Sequence, residues 1–344
     1  MILPNWAKLR STVYSILVKW KTLLARLLFA CLLIVTTAMV AGSLEVPSCG
    51  TVDTRVSLHQ PPPIPLPADL DIPRYDPGPA PFRDGETLIY EASWVGIPAA
   101  EARIVLLKNE HGVPSWTGKL WLHTSKAVDL LYPMRDYVYE DFNRDNLRPR
   151  EIHIFQHEKR RRDEWYVHFD DHEHLVTSAK RNAQGRTWVR EFTGGQPWGP
   201  FSGAMLALSL PLNVGESYTF DVFSGGNRYV LAFNVDHRES INTVLGNLPA
   251  LRITPSVVWL SEGKFRNQVS QSVLWVSDDE QHLPLRIEAA AFVGSIRVDL
   301  AQVLNAPQST VTGAGPQASQ ATDESHLSFL TTLSLKMPSW SHYL

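Results

Sequence analysis

Histidine and carboxylate side chains are concentrated in residues 168–174, which read HFDDHEH. Imidazole and carboxylate groups bind divalent metal ions, so His168, Asp170, His172 and His174 are candidate ligands of a metal-dependent hydrolase. The same composition is typical of a solvated turn between two strands, because Asp and Asn favour turns. The turn is the simpler interpretation, and no cofactor is predicted.

Other motifs that carry chemistry are absent or stand in the wrong context. The sequence has no P-loop, no HExxH and no G-x-S-x-G. Residues 313–318, GAGPQA, have the spacing of a dinucleotide fingerprint but follow no predicted strand and open no predicted helix. The basic run at residues 159–162 is typical of a hairpin turn, and contact with phosphate or lipid headgroups is the alternative. No catalytic residue is predicted.

Aromatic residues are plentiful, with 11 Trp and 10 Tyr, and most of them fall in strand-like segments. Such residues suit a pleated, half-buried surface, and core packing is their ordinary role. In a curved sheet some of them can instead line an apolar cavity. The candidates for lining such a cavity are Tyr90, Trp94, Tyr139 and Trp275.

The clearest structural pattern lies near the C-terminal end of the body. Apolar and polar residues alternate at 285–291 and again at 296–300, on either side of Gly294 and Ser295. This alternation predicts a β-hairpin with one buried face and one wet face. The residues predicted to be buried are Leu285, Ile287, Ile296 and Val298. Their neighbours Arg286, Glu288, Arg297 and Asp299 are predicted to face outward.

Similar alternation recurs through the body of the chain, residues 82–304. Two segments, 125–131 and 201–210, lack it and are predicted to be short helices that can fill the concave side of a sheet. Short connections favour antiparallel pairing of neighbouring strands. The fold class is therefore mainly β: a curved antiparallel sheet, a half-barrel or open barrel like that of lipoprotein carriers. The predicted strands are 87–95, 99–107, 115–123, 136–142, 150–157, 164–169, 175–180, 187–192, 217–223, 228–235, 250–260, 269–276, 285–291 and 296–300.

The N-terminal segment, residues 1–44, carries basic residues followed by an uncharged run from 27 to 44. A run of this length with a one-sided basic flank is typical of a signal peptide or an N-terminal membrane anchor helix, and it places the rest of the chain across the membrane. Three outcomes stay open: cleavage near Ser43, retention as an anchor, or lipidation at Cys49.

Composition defines the remaining segments. Residues 45–81 are rich in Pro, which favours an extended, semi-rigid linker, and residues 305–344 are polar and predicted to be disordered. The two cysteines, Cys31 and Cys49, precede the body, so a disulfide or cysteine zinc site within it is excluded. A net charge of −3 gives no attraction to nucleic acid, which is excluded as a partner.

Several short segments together resemble a known bacterial family. FRDGETLIYE at 82–91 and GIPAAEA at 96–102 resemble the opening of the family called domain of unknown function 3108. LNVGE at 212–216, WVSDD at 275–279 and LPLRIE at 283–288 resemble its later motifs in the same order. The resemblance implies an exported envelope protein with an antiparallel β domain. It implies no activity, so no catalytic residue is carried over.

Three functions follow as hypotheses. The first is an exported, non-catalytic protein of the bacterial envelope that binds an apolar or amphipathic ligand in its curved sheet. The second is a structural or protein-interaction module of the envelope with a filled core, and the third is the hydrolase on the His-rich strands. The expected partners are the membrane, through the N-terminal segment, and a lipid-like ligand or an envelope protein. The protein is expected to be periplasmic, secreted or membrane-tethered.

Export can be tested with a reporter fused after Leu304, which should be active only outside the cytoplasm. Cell fractionation of Cys49→Ala then separates the routes, because acyl chains on Cys49 would be the anchor of a lipoprotein. Loss of membrane association in this variant would mean lipidation at Cys49. Continued membrane association would mean that the N-terminal segment is not cleaved. A reporter active in the cytoplasm would contradict export.

Overall fold

The structure is a computed structural model. It describes residues 64–65, 72–79, 81–110, 113–261, 264–267, 272–290 and 294–304, with the backbone alone for 64–65, 258–261 and 264–267. Residues 1–44, Cys49 and the tail at 305–344 lie outside the described residues, so what the sequence predicts for them stays a prediction. No helix in the described part of the chain is long and apolar enough to cross a membrane.

The described body is built almost wholly from strands, as the alternating pattern predicts. Its helices are Lys126–Asp129 (α1) and Pro200–Ser209 (α2). The strands are Ile64–Pro65 (β1), Thr87–Trp94 (β2), Ile97–Asn109 (β3), Ser115–Thr124 (β4), Met134–Asn143 (β5), Pro149–Glu158 (β6), Arg161–Asp170 (β7), Leu175–Asn182 (β8), Thr187–Thr193 (β9), Ser217–Ser224 (β10), Asn227–Thr243 (β11), Gly246–Ser261 (β12), Lys264–Asn267 (β13), Ser272–Ser277 (β14), Pro284–Ala290 (β15) and Ser295–Leu304 (β16).

These strands form one sheet, in the order β1-β9-β8-β7-β6-β5-β4-β3-β2-β16-β15-β14-β12-β11-β10, with β13 paired to β12. Every pairing is antiparallel except that of the two-residue β1, which runs parallel to β9. Most neighbours in the sheet are neighbours in sequence, as short connections require. The predicted fold class is confirmed: a curved antiparallel sheet that strand pairing does not close into a barrel.

Contacts between its two ends bend the sheet toward a barrel. The backbone of Trp198, in the segment after β9, pairs with β10: its N–H donates to Asp221 O at 2.8 Å, and its C=O accepts from Phe223 N at 2.8 Å. Arg228 forms a buried ion pair with Asp221 and also donates to Gly194 O at 2.6 Å. The ion pair is therefore held between the two edges of the sheet.

The predicted closing hairpin is confirmed. Ile287 lies opposite Val298, and Arg286 lies opposite Asp299. Leu285, Ile287, Ile296 and Val298 are fully buried on one face. On the other face Arg286 donates to Asp299 Oδ1 at 2.6 Å, so this surface carries an ion pair instead of core contacts.

The sequence prediction was wrong about some boundaries. The first hairpin turn is at residues 95–96 instead of 96–98, because Ile97 and Pro98 already pair with β2. Helix α1 stops at Asp129, and the following Leu130 and Leu131 are exposed instead of filling the concave side.

Part of the predicted linker, residues 45–81, contacts the sheet. Ile64–Pro65 pairs with β9, although Pro-rich sequence was expected to form no sheet. The ring of Tyr75 lies 5.0 Å from that of Phe220, and its hydroxyl accepts from Thr219 N at 3.0 Å. The segment at 72–79 is thus attached to β10.

Because Ile287 is fully buried between β14 and β16, we expect Ile287→Ala to lower the free energy of unfolding by about 2–5 kcal/mol. The matched control is Ile97→Ala at an exposed position, which should change it by less than about 1 kcal/mol. Chemical denaturation measures both. Equal losses would contradict the assigned register.

Candidate functional site

Helix α2 occupies the inner, concave face of the sheet. Nearly all of its side chains are buried, including Phe201, Met205, Leu206 and Leu208. Apolar residues without β-branching favour a helix here, and Pro211 prevents its continuation. The predicted helix is confirmed, although it begins at Pro200, one residue before the predicted start, and its burial favours a filled concave face over the alternative of an apolar cavity.

The first turn of α2 is buried and needs hydrogen-bond acceptors. Gly199 is the N-cap and has no side chain to supply one. Glu140, on the inner face of β5, supplies it instead: its carboxylate accepts from Phe201 N at 2.6 Å and from Ser202 N at 3.0 Å. Ser202 Oγ in turn accepts from Gly199 N at 2.9 Å. Glu140 therefore caps the helix from the sheet.

Two glycines allow this close approach. A Cβ at Gly199 would overlap the Glu140 carboxylate, and a Cβ at Gly118, on β4, would overlap the ring of Phe201. The helix therefore lies directly on the backbone of β4, with the carboxylate of the next strand at its N-terminus. Side chains at these two positions would separate the helix from the sheet.

The other end of α2 is also bonded. His282 Nδ1 lies 2.8 Å from Leu208 O, and because a carbonyl can only accept, this nitrogen carries the proton. Ser209 Oγ donates to Leu206 O at 2.7 Å and accepts from Gly78 N at 3.1 Å. The helix is thus held at both ends by polar contacts from distant parts of the chain.

Burial raises the pKa of Glu140 to about 7, an effect opposed by its hydrogen bonds to Ser202 and Phe201. The group is fully enclosed, so no substrate can reach it. Its perturbed pKa reflects a structural role. Sequence reasoning missed Glu140, although Tyr137 and Tyr139 alternate with it and the alternation puts it on the face of Val138.

A second polar cluster lies on the inner face of β5 and β6. Asp136 Oδ2, Gln156 Oε1 and Glu158 Oε1 are buried and have no partner among the described residues. Burial, then the neighbouring Glu158, raises the pKa of Asp136 well above its usual value. Tyr132 donates to Glu158 Oε2 at 2.6 Å.

The four predicted cavity-lining residues do not come together. Tyr90 is buried on the inner face and donates to Pro284 O at 3.0 Å, and Trp94 packs against the same core. Tyr139 alternates with the buried Val138 and Glu140, so it lies on the outer face. Trp275 is also on the outer face, where its Nε1 donates to Glu239 at 2.7 Å. The four side chains do not line one cavity.

Tyr139 belongs to a band of rings across the outer face of β4 to β7. His153 lies 5.8 Å from Tyr139 and 4.7 Å from Tyr166, measured between ring centroids. Tyr137 lies 5.4 Å from Trp121 and 6.0 Å from Phe155. The rings half-bury one another, and burial lowers the pKa of His153 and raises that of Tyr139 to about 12.

The His-rich segment forms the turn between β7 and β8. Asp170 Oδ1 accepts from His172 N and Glu173 N, both at 3.0 Å, which is the geometry of an Asx-type turn. His168, Asp170 and His172 line an open cleft of about 400 Å³, and His174 is not among its lining residues. In the described part of the chain, no group of three or more His, Cys, Asp or Glu could hold a metal.

Glu140 should make stability depend on pH. Its pKa is about 7 in the folded protein and near 4.5 when unfolded, so the folded state binds the proton more tightly. Its contribution is present in full below pH 4.5 and is lost as pH rises through 7, by about 3 kcal/mol at most. We expect the melting temperature of Glu140→Gln to fall less than that of wild type between pH 5 and 8.

All other titrating groups are common to the two proteins, so the difference between their pH profiles isolates Glu140. Thermal melts at constant ionic strength measure it. Parallel profiles would mean that Glu140 does not titrate in this range.

Comparison with known proteins places the chain in a family. The family described as "Protein of unknown function (DUF3108)" matches residues 89–301, from within β2 to within β16. No curated protein matches the chain.

Three solved structures are similar to part of the chain. A β-barrel-like protein of domain of unknown function DUF1849 from Brucella abortus has a TM-score of 0.43 at 8% identity, and the match covers 63% of this chain and 96% of that one. The TM-score is 0.27 at 9% identity for a candidate exported protein with a YmcC-like fold from Bacteroides fragilis, covering 66% and 98%. It is 0.30 at 10% identity for a candidate lipoprotein from Parabacteroides distasonis, covering 67% and 100%.

Similarity at this level does not transfer a function from these proteins. The family match covers more than half of the chain and includes nearly the whole sheet, whose closing hairpin has the register that the sequence motifs predict. The chain belongs to the DUF3108 family, whose function is unknown.

Proposed function

We propose that the protein is an exported, non-catalytic module of the bacterial cell envelope that acts through its surface, around a filled core. The observation that carries this proposal is helix α2, which is buried against the inner face of the sheet and capped there by Glu140. An acyl chain would need the space that Met205, Leu206 and Leu208 occupy. The filled-core hypothesis is therefore favoured over the carrier hypothesis.

Export is supported by the sequence. The basic residues that precede the uncharged run at 27–44 favour translocation of everything that follows. The segment then either is removed or holds the protein at the membrane. Both routes bring the β domain to the envelope, where lipid surfaces and other envelope proteins are the available partners.

A non-catalytic role is supported by the chemistry of the perturbed groups. Strongly shifted pKa values often mark active sites, but structural networks shift them as well. Here the two most perturbed carboxyl groups, Glu140 and Asp136, are sealed from solvent. Glu140 accepts from the N–H groups at a helix end, and Asp136 Oδ1 accepts from His157 N at 3.1 Å.

The carrier hypothesis makes a different structural demand. An acyl-like ligand can bind at the inner face only if α2 moves away from it. That movement would break the hydrogen bonds that Glu140 accepts from the N–H groups of Phe201 and Ser202. Ligand uptake and helix docking would then compete. Weakening the helix would increase uptake in a carrier, whereas in a filled core it would only lower stability.

We therefore expect Leu206→Ala to lower the free energy of unfolding by about 2–5 kcal/mol, because Leu206 is fully buried. Leu130→Ala, the same change at an exposed position, should cost less than about 1 kcal/mol. A fluorescent fatty-acid analogue should gain no signal with wild type or with either variant at micromolar protein.

Saturable uptake by wild type, enhanced in Leu206→Ala, would contradict the filled-core proposal and favour a carrier. Native mass spectrometry of wild type purified from membranes provides an independent check. A lipid retained in stoichiometric amount would point the same way.

A further inference from the structure

Strand β9 has an open edge in the described part of the chain. On one side it pairs along its length with β8, and on the other side it pairs only with the two-residue β1, at Phe192 and Thr193. No described strand lies on this second side of residues 187–191. Residues 61–63, which precede β1, are prolines and have no N–H with which to continue the pairing. An unpaired strand edge is a template for another extended chain.

The main-chain groups of β9 alternate in direction. Asn182 N donates to Arg186 O at 3.0 Å, so the main chain of Arg186 faces β8. Antiparallel pairing repeats this arrangement at every second residue, so the even-numbered residues of β9 bond to β8 and the odd-numbered ones face away. The N–H and C=O groups of Thr187 and Val189 therefore point to the open edge.

The side chains beside this edge are exposed on both faces of the strand. Trp188, on the face of the buried Phe192, is 48% exposed, and Val189, on the other face, is 36% exposed. Trp188 is the only exposed aromatic residue among those whose side chains the structure describes. A large ring exposed to water beside an unpaired strand edge is typical of an interaction surface.

Positive charge without a partner flanks the ring. The hairpin of β8 and β9, residues 175–193, carries four bases and one acid. The two bases on β8 are paired with acids of β7. Arg186 and Arg190 are exposed, and neither guanidinium has a hydrogen bond or ion pair with a described residue. Because each lies two positions from Trp188, the three side chains share one face of the strand.

We propose that β9 binds an extended, acidic segment of another envelope protein, which adds a strand to its open edge. The main chain of the segment bonds to Thr187 and Val189, and an apolar side chain covers Trp188. Carboxylates on either side of that apolar side chain pair with Arg186 and Arg190. The inference rests on the proposed function, because it names the kind of partner that the surface of the module meets.

Charge favours this partner over a second copy of the chain. Antiparallel pairing of two β9 edges around Val189 would place the arginines of both copies on one face, with no acid between them. Charged side chains on an edge strand oppose self-pairing of this kind. An acidic strand neutralises the same arginines.

The probe is the synthetic peptide TEVIVET, labelled with fluorescein and added to the full chain in detergent. Its sequence reads the same in both directions, so it presents a glutamate on either side of the isoleucine in either orientation. Fluorescence anisotropy measures binding. We expect saturable binding of TEVIVET, and binding about tenfold weaker, or weaker still, of TKVIVKT, in which lysines replace the glutamates. High salt should reduce this preference.

Amide hydrogen exchange with millimolar unlabelled peptide shows whether a strand has been added. In the free protein, the amides of Thr187 and Val189 should exchange faster than those of Trp188 and Arg190, which bond to β8. The peptide should slow exchange at Thr187 and Val189. Residues 244–245, in the turn between β11 and β12, should be unchanged.

A charge variant tests the ionic contribution. Arg186→Ser with Arg190→Ser should abolish the preference for the acidic peptide. The matched control is Lys126→Ser with Arg160→Ser, which removes the same charge from two other exposed side chains and should keep the preference.

Two further variants test the main-chain and apolar contributions. Val189→Pro removes an N–H that faces the open edge, and Trp188→Ser removes the ring; each should weaken peptide binding about tenfold or more. Leu245→Ser, at an exposed side chain in another turn, is the control and should bind like wild type. If Val189→Pro lowers the melting temperature, Trp188→Ser, at an exposed side chain, still decides.

Equal binding of the two peptides, no saturable binding, or unchanged exchange at Thr187 and Val189 would overturn the proposal. So would protection of these two amides in the free protein, since another part of the chain or a second copy would then fill the edge. Sedimentation of the peptide-free protein tells those two cases apart. The proposed function fails on a separate measurement, uptake of the fatty-acid analogue, so the two failures are distinguishable.

Discussion

Burying a helix inside a curved sheet places the N–H groups of its first turn where water cannot reach them. The structure therefore depends on an acceptor within the protein for these N–H groups. The N-cap of α2 is Gly199, which leaves room but supplies no acceptor. Glu140 supplies both bonds from β5, and Pro200 at the first position has no N–H to satisfy. The Glu140 carboxylate therefore fixes the position of the buried helix relative to β5.

The sequence predicted most of this architecture where alternation is unambiguous. In the closing hairpin, one side of each strand is apolar and the other is charged, so the register around Ile287 follows directly. In β5 both sides carry aromatic and acidic residues, so alternation shows that Tyr137 and Tyr139 share a face but not which face is inward. For that reason Tyr139 was a cavity candidate and Glu140 was overlooked.

The prediction that Leu130 and Leu131 fill the concave face failed for a related reason. Leu130 and Leu131 are as apolar as Leu206 and Leu208, and sequence alone gives all four the same role. They differ because α1 ends at Asp129, whose carboxylate accepts from Arg135 on β5. This bond keeps the connection between β4 and β5 at the end of the sheet, away from the inner face. Long-range contacts of this kind, like that of His282 with α2, leave no local signal in the sequence.

The filled core that we propose changes where function can reside. If α2 stays packed on the inner face, the residues free to meet a partner are those on the outer face and in the connections at the ends of the sheet, which packing does not constrain. Exposed apolar residues alone do not identify the surface used, because Val244 and Leu245 are exposed as well. The sheet fixes the spacing of its connections, and α2 packs against the inner face of that sheet, so the buried carboxylate of Glu140 acts on the outer surface only through the position of the strands.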